Sequence, residues 1–186
     1  MVGKIILASS SPRRADILKR IKIEVEIMPS PYIEDHTTTA FSYDFIENLA
    51  YNKAKAVIPL VKEPSLIIGA DTVVVLDNQI LGKPHNKENA YKMLQSLSGK
   101  THFVVTSIVV INSETGEYKK NSTTSYVTFE NLTDEQINYY IDNYKPFDKA
   151  GSYGIQEMPN GYIKSYTGDL ENIIGLSSKA LLELLN

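Results

Sequence analysis

Residues 9–14, Ser-Ser-Ser-Pro-Arg-Arg, put three hydroxyls and two guanidinium groups at one point of the chain. The run before them, Lys4-Ile5-Ile6-Leu7-Ala8, is apolar enough to be a core strand. Ser11 suits an N-cap, and Pro12 suits the first helical position because its missing N–H would be unpaired there anyway. A helix start offers free N–H groups and partial positive charge to an anion. An ordinary capped surface helix can also open on Ser-Pro. Adding Ser9, Ser10, Arg13 and Arg14 turns the reading toward a phosphate site.

Three isolated charges interrupt apolar patterns elsewhere. Asp71 lies within Leu66-Ile67-Ile68-Gly69-Ala70-Asp71-Thr72-Val73-Val74-Val75-Leu76. A carboxylate buried in such a strand is costly unless a cation, a metal or hydrogen bonds satisfy it; a strand-end Asp capping a turn is the plainer reading. Lys53 falls inside the arc formed by Phe45, Ile46, Leu49, Ala50, Ala56 and Val57 on a helix predicted over 41–58. It either snorkels to the surface or points from the core into a charged site. Lys83, in Leu81-Gly82-Lys83-Pro84, is by itself weak and fits a surface turn.

The loop 148–156, Asp-Lys-Ala-Gly-Ser-Tyr-Gly-Ile-Gln, adds Lys149 and, in Gln156, an amide that could read a base. It does not have Walker A spacing, and no G-x-G-x-x-G opens a helix anywhere. His36, His85 and His102 have no metal-ligand spacing and read as surface or structural. The serines stand in no Gly-x-Ser-x-Gly elbow, against a serine hydrolase. Glu34-Asp35 could supply metal oxygens beside Asp71, although paired loop acids are usually just solvated. Together these residues suit metal-assisted attack on a polyphosphate, in which cations neutralise spreading charge and an Asp activates water.

The elements that must position them alternate strand and helix. After a helix over 13–20 come an alternating segment at 23–27, a loop through Pro29 and Pro31, the 41–58 helix and the 66–76 strand. Ile80-Leu81 starts a return strand, Asn86 caps a helix ending near Leu97, and Gly99 closes it. Residues 103–112 and 119–129 read as a hairpin. Thr133 with Gln136 is a capping box opening a helix to about Tyr144. The rest reads as loop until a last helix after Ser177. The class is α/β with a mixed sheet and flanking helices, in one domain over 1–186. With 42% hydrophobic and 22% charged residues the composition is that of an ordinary globular chain. The net charge of −3 argues against a general nucleic-acid binder, which needs a basic excess. The chain has no cysteine, which removes disulfides and thiolate chemistry. No cleavage-site pattern or apolar run of membrane-spanning length is present, so a cytoplasmic protein without membrane contact is expected.

The set 7–14, Asp71-Thr72-Val73-Val74, Gly82-Lys83-Pro84, Ser98-Gly99 with His102, and 148–156 resembles the Maf family of nucleoside triphosphate pyrophosphatases, from about residue 5 to residue 185. The resemblance implies a twisted, elongated, two-lobed α/β fold like that of inosine triphosphate pyrophosphatases, with a central cleft. It implies a nucleoside triphosphate diphosphatase that cleaves between the α and β phosphates with a divalent metal, Mg²⁺ or Mn²⁺. Asp71 matches the family's proton acceptor; Ser9, Ser11, Arg14, Lys53 and Lys83 match phosphate-handling positions, and Lys149 a substrate-binding one. Glu34, with Asp71, matches a metal-holding acid. Arg13, Thr72 and Gln156 match the branch that prefers dTTP and UTP over 7-methyl-GTP. Glu157, Leu170 and Ser177 depart from the usual glycine, aromatic and proline. A homodimer is compatible with the family, and a link to restraint of cell division is a separate implication. A non-catalytic nucleotide-sensing regulator on the same fold is the alternative; intact Asp71 and Glu34 favour catalysis.

Overall fold

The computed structural model describes residues 3–34 and 38–186. Strands β1 (Lys4–Leu7), β2 (Glu26–Ile27), β3 (Ser65–Leu76), β4 (Gln79–Leu81), β5 (Thr101–Asn112), β6 (Tyr118–Phe129) and β7 (Ile163–Thr167) join in one seven-stranded sheet. Its order is β2-β1-β3-β5-β6-β7, with β4 folding back on β3. The β2-β1-β3 pairings are parallel and all others antiparallel. Around the sheet lie α1 (Pro12–Arg20), α2 (Tyr43–Lys55), α3 (Lys87–Leu97), α4 (Asp134–Tyr144), α5 (Leu170–Ile174) and α6 (Ser178–Leu185). The α/β class with a mixed sheet follows the reading from sequence. Among the described residues no helix is long and apolar enough to cross a membrane.

β3 is the spine, and its alternation sorts the core. One row, Ile68, Ala70, Val74 and Leu76, divides between two clusters. Ile68 and Ala70 pack with Leu7, Ile17, Leu18 and Leu181, while Val74 and Leu76 pack with Leu94, Ile137 and Tyr140. The opposite row faces α2: Ile67 meets Ala50 and Ala54, and Val73 and Val75 meet Ile46. Asp71 and Thr72 stand midway along the strand, where these apolar clusters give way to one another. A strand-end cap is therefore the wrong account of Asp71.

Local signals explain most boundaries. Ser42 and Asn86 accept from the backbone N–H groups of Phe45 and Asn89, and Thr133 forms a reciprocal capping box with Gln136. Three expectations change. The helix predicted over 41–58 stops at Lys55 and gives way to a 3₁₀ turn at Ile58–Leu60, where Pro59 cannot continue an α-helix. The alternating segment 23–27 supplies only the two residues of β2. The stretch read as loop before Ser177 contains β7, an edge strand with little apolar patterning, and the five-residue α5. α5 is pinned by buried Asn172, which accepts from Thr106 N–H (2.9 Å) and donates to Val104 O (3.0 Å) and Ser125 Oγ (2.9 Å).

His102 is structural, as its isolation in the sequence implied. It is 2% exposed on β5, its ring meets Phe129 and Tyr153 edge to face, and Nε2 lies 2.7 Å from the Tyr153 hydroxyl. Its Nδ1 has no hydrogen-bond partner among the described residues. Burial pushes the imidazole down to about 4. The folded chain therefore holds a neutral ring that the unfolded chain protonates below about pH 6.5. This contribution is fully present above that pH and is lost as pH falls toward 4, by roughly 3 kcal/mol in all. Denaturant titrations across pH 7 to 4 should show that decline, and it should flatten in His102→Gln.

Candidate active site

The site occupies a gap in the sheet. β1 makes its last pairing at Leu7 with Ile68, and β4 first pairs at Val74, so residues 70–73 of β3 have no strand on that side. Their other side is covered by β5, with Asp71 opposite Ser107. A cleft of about 840 Å³ opens at this edge, beyond the carboxyl end of parallel β1. Open α/β sheets bind ligands in crevices of that kind.

On one face of β3, α2 brings Lys53 to Asp71. The close approach depends on Gly69, two residues before Asp71 in the same row. A Cβ there would lie 2.2 Å from the Ala50 carbonyl oxygen and 2.8 Å from the Ala54 methyl. Lys53 Nζ donates to Asp71 Oδ1 and lies 2.8 Å from Glu34 Oε1. The Lys53 side chain is 13% exposed, so it does not snorkel to solvent. Asp71 is 7% exposed, and its Oδ2 accepts no hydrogen bond from the described residues while the side chain lines the cleft. Two carboxylates thus converge on one buried ammonium, each with one oxygen committed to it.

On the opposite face, Arg14 locks the start of α1 to the rest of the sheet. Its Nε donates to Gly175 O (2.9 Å), Nη1 to Ser9 Oγ (3.0 Å) and Nη2 to Thr72 Oγ1 (3.1 Å). Thr72 also meets Thr106 Oγ1 at 2.9 Å. Burial lowers the guanidinium's hold on its proton, and the nearby Asp71 carboxylate opposes that shift. Arg14 and Ser9 are therefore bound into the framework at the cleft wall. Ser11 sits at the N-cap, yet its hydroxyl makes no capping bond; the local bond is Ser11 N–H to Ser9 Oγ at 3.2 Å. That hydroxyl lines the cleft wall.

The far wall is the 148–157 loop. Gly151 holds it against the spine: with φ of 64° it gives its N–H to Gly82 O (3.0 Å), and a Cβ would lie 2.9 Å from Val74. Arg13 Nη1 meets Asp148 Oδ2 at 2.9 Å, Asp148 Oδ1 meets Lys149 Nζ at 2.9 Å, and Lys149 Nζ meets Glu157 Oε2 at 3.1 Å. Partial burial would raise the Asp148 carboxyl, but hydrogen bonds from Lys149 and Arg13 outweigh it and hold it at about 2. Gln156 and Lys83 are exposed on the cleft wall, and Lys83 makes no ion pair with the described residues. His85 is exposed at the same wall.

The structure thus gathers Ser11, Arg13, Arg14, Glu34, Lys53, Asp71, Thr72, Lys83, Lys149 and Gln156 around one cleft, and Ser9 lines an adjoining cavity of about 350 Å³ that shares several of these residues. Asp35 and His36 lie outside the described residues. Asp148 and Glu157 were present in the sequence as motif neighbours, but nothing along the chain pairs Asp148 with a residue 135 positions away. Gly175, whose carbonyl orients Arg14, gave no signal at all.

Three comparisons bear on this site. The family model described as Maf-like protein matches residues 4–186. A dTTP/UTP pyrophosphatase of Clostridium novyi is 38% identical over 184 residues, covering 97% of this chain and 95% of that protein. One of Thermosipho africanus is 41% identical over 182 residues, covering 98% and 92%. A dITP/XTP pyrophosphatase structure from Mycobacterium abscessus overlaps 70% of this chain and 76% of its own, at 19% identity and a TM-score of 0.48, too slight a likeness to carry an argument.

Replacing Lys53 by Met keeps the apolar stem and removes the ammonium between two carboxylates. Leaving buried Asp71 without its cation should cost about 3–5 kcal/mol of stability at neutral pH, measured by denaturant unfolding. An unchanged or raised stability would mean that the ion pairs contribute nothing to the fold.

Proposed function

The chain belongs to the Maf-like protein family, and from that premise we propose that it hydrolyses nucleoside triphosphates, dTTP and UTP first among them, to the monophosphate and pyrophosphate. The observation that carries the reading is the open Oδ2 of Asp71, held at the cleft while Lys53 takes Oδ1. Relatives that match nearly the full chain bear the name dTTP/UTP pyrophosphatase, which supports the substrate class.

The chemistry follows from what each group can do. A water beside Asp71 gives its proton to Oδ2 as its oxygen bonds to the α-phosphorus, and pyrophosphate leaves with the electron pair of the broken P–O bond. Lys53 holds Oδ1 and so keeps the carboxylate aimed. Lys83 and the Ser11 hydroxyl, both on the wall, meet the phosphate oxygens as charge spreads over them, and the N–H groups opening α1 add partial positive charge. Arg14, at the cleft wall, fixes Ser9 and Thr72.

Among the described residues no three or more His, Asp or Glu side chains form a metal cage. Glu34 and Asp71 nevertheless suit Mg²⁺ or Mn²⁺ of the kind held by one or two carboxylates, with substrate phosphates and waters completing the shell. When bound there, the ion supplies charge neutralisation at the phosphate oxygens.

Base choice falls to Gln156, whose amide both donates and accepts. Uracil and thymine present a carbonyl–imide–carbonyl edge that such an amide can pair with. A site that pairs its polar groups with one base disfavours another by about 1–3 kcal/mol for each bond left unmade. Initial rates of pyrophosphate release from equal concentrations of dTTP, UTP, ATP and GTP, with and without Mg²⁺, test the proposal. Pyrimidine nucleotides should be cleaved at least ~10-fold faster, a gap of about 1.4 kcal/mol. Asp71→Asn should lose at least ~10²-fold in turnover while remaining folded. Release of pyrophosphate from ATP or GTP at the highest rate would overturn the substrate assignment.

A further inference from the structure

Four side chains of alternating charge run across the mouth of the cleft: Arg13, Asp148, Lys149 and Glu157. The contacts between them are 2.9, 2.9 and 3.1 Å in turn. The first member stands at the start of α1; the last is the neighbour of Gln156. We propose that Glu157 is a specificity-determining positioning residue, which through Lys149 and Asp148 holds Arg13 and the Gln156 amide in one register across the cleft. The inference rests on the nucleotide-binding reading of this site.

The loop is built to transmit such a hold. Glu157 N–H donates to Gly154 O at 2.9 Å, closing a turn with Ile155 and Gln156 at its centre. The stem of Lys149 lies along that turn, so that a Cβ on Gly154 would sit 3.0 Å from Lys149 Cε. Lys149 is 8% exposed and has an acid on each side. Its ammonium is thus a tie within the loop. Without the Glu157 charge, Lys149 would be held by Asp148 alone, the carboxylate whose other oxygen holds Arg13. The turn bearing Gln156 would lose its ionic tether at the same time. Glu157 is itself 41% exposed at its side chain. An exposed ion pair adds little to stability, so its effect belongs in base preference and not in melting temperature.

Isothermal titration with non-hydrolysable α,β-methylene analogues of dTTP and ATP reads this without turnover. Wild type, Glu157→Gln, Arg13→Gln and the double variant are compared by the ratio of the two affinities. Glu157→Gln should lower the dTTP preference about fivefold, of the order seen for couplings within one ion-pair network, with the melting temperature unchanged. Arg13 and Glu157 make no ion pair with each other, yet the double variant should lose no more preference than the worse single one. Lys149→Met, which cuts the same chain one link earlier, should give the same loss. A preference untouched by Glu157→Gln, or losses that multiply independently, would overturn the inference. A wild type that binds the analogues with a dTTP preference but releases no pyrophosphate from dTTP, UTP, ATP or GTP would overturn the pyrophosphatase reading alone, because the preference stays measurable. A wild type that binds both alike would overturn the inference and leave the pyrophosphatase reading standing, and one that binds neither would overturn both.

Discussion

A carboxylate in the middle of a twelve-residue core strand has to be matched by a cation, because burying it alone would cost several kcal/mol. Lys53 supplies that cation, and much of the surrounding architecture serves the pairing. α2 must lie close enough to β3 for a lysine stem to reach, which the bare Gly69 backbone permits. Ala50 and Ala54 keep the helix flank narrow at the same place. Glu34 then brings a second carboxylate to the same ammonium from the loop after β2. The resulting triad has a net negative charge and one carboxylate oxygen facing the cleft, an arrangement suited to taking a proton from water.

The second constraint is topological. The sheet changes from parallel to antiparallel across β3, and β1 ends before β3 does. The uncovered stretch lets adjacent residues of one strand serve a single cleft although their side chains leave opposite faces. Asp71 reaches it from the α2 face, and Thr72 from the face that Arg14 secures. The Asp71 carboxylate and its neighbouring anchor are thereby fixed by rigid elements, while the 148–157 loop closes the opposite wall and carries the Gln156 amide.

Legibility from sequence followed how local each determinant was. Asp71 and Lys53 announced themselves by breaking apolar patterns, and the anion-friendly start of α1 by its composition. Caps and hairpin were local as well. What lay beyond reach depended on contacts far apart in the chain: Arg14 meeting Gly175, Arg13 meeting Asp148, Asn172 pinning α5. Lys53 illustrates the boundary between the two. Its position in the apolar arc was visible, but the choice between snorkelling and pairing was settled by where Glu34 and Asp71 lie in space. Ser11 shows the reverse error, since a good capping residue left its hydroxyl unbonded at the cleft. Edge strand β7 escaped notice because an exposed, polar strand carries almost no periodicity.

In the proposed reaction, water placed by the Lys53-held Asp71 attacks the α-phosphorus. Hydrolysis of UTP in ¹⁸O-enriched water, with products separated and weighed by mass spectrometry, answers this directly. One ¹⁸O should appear in UMP and none in pyrophosphate. Label found in pyrophosphate, or products that are UDP and inorganic phosphate, would contradict it.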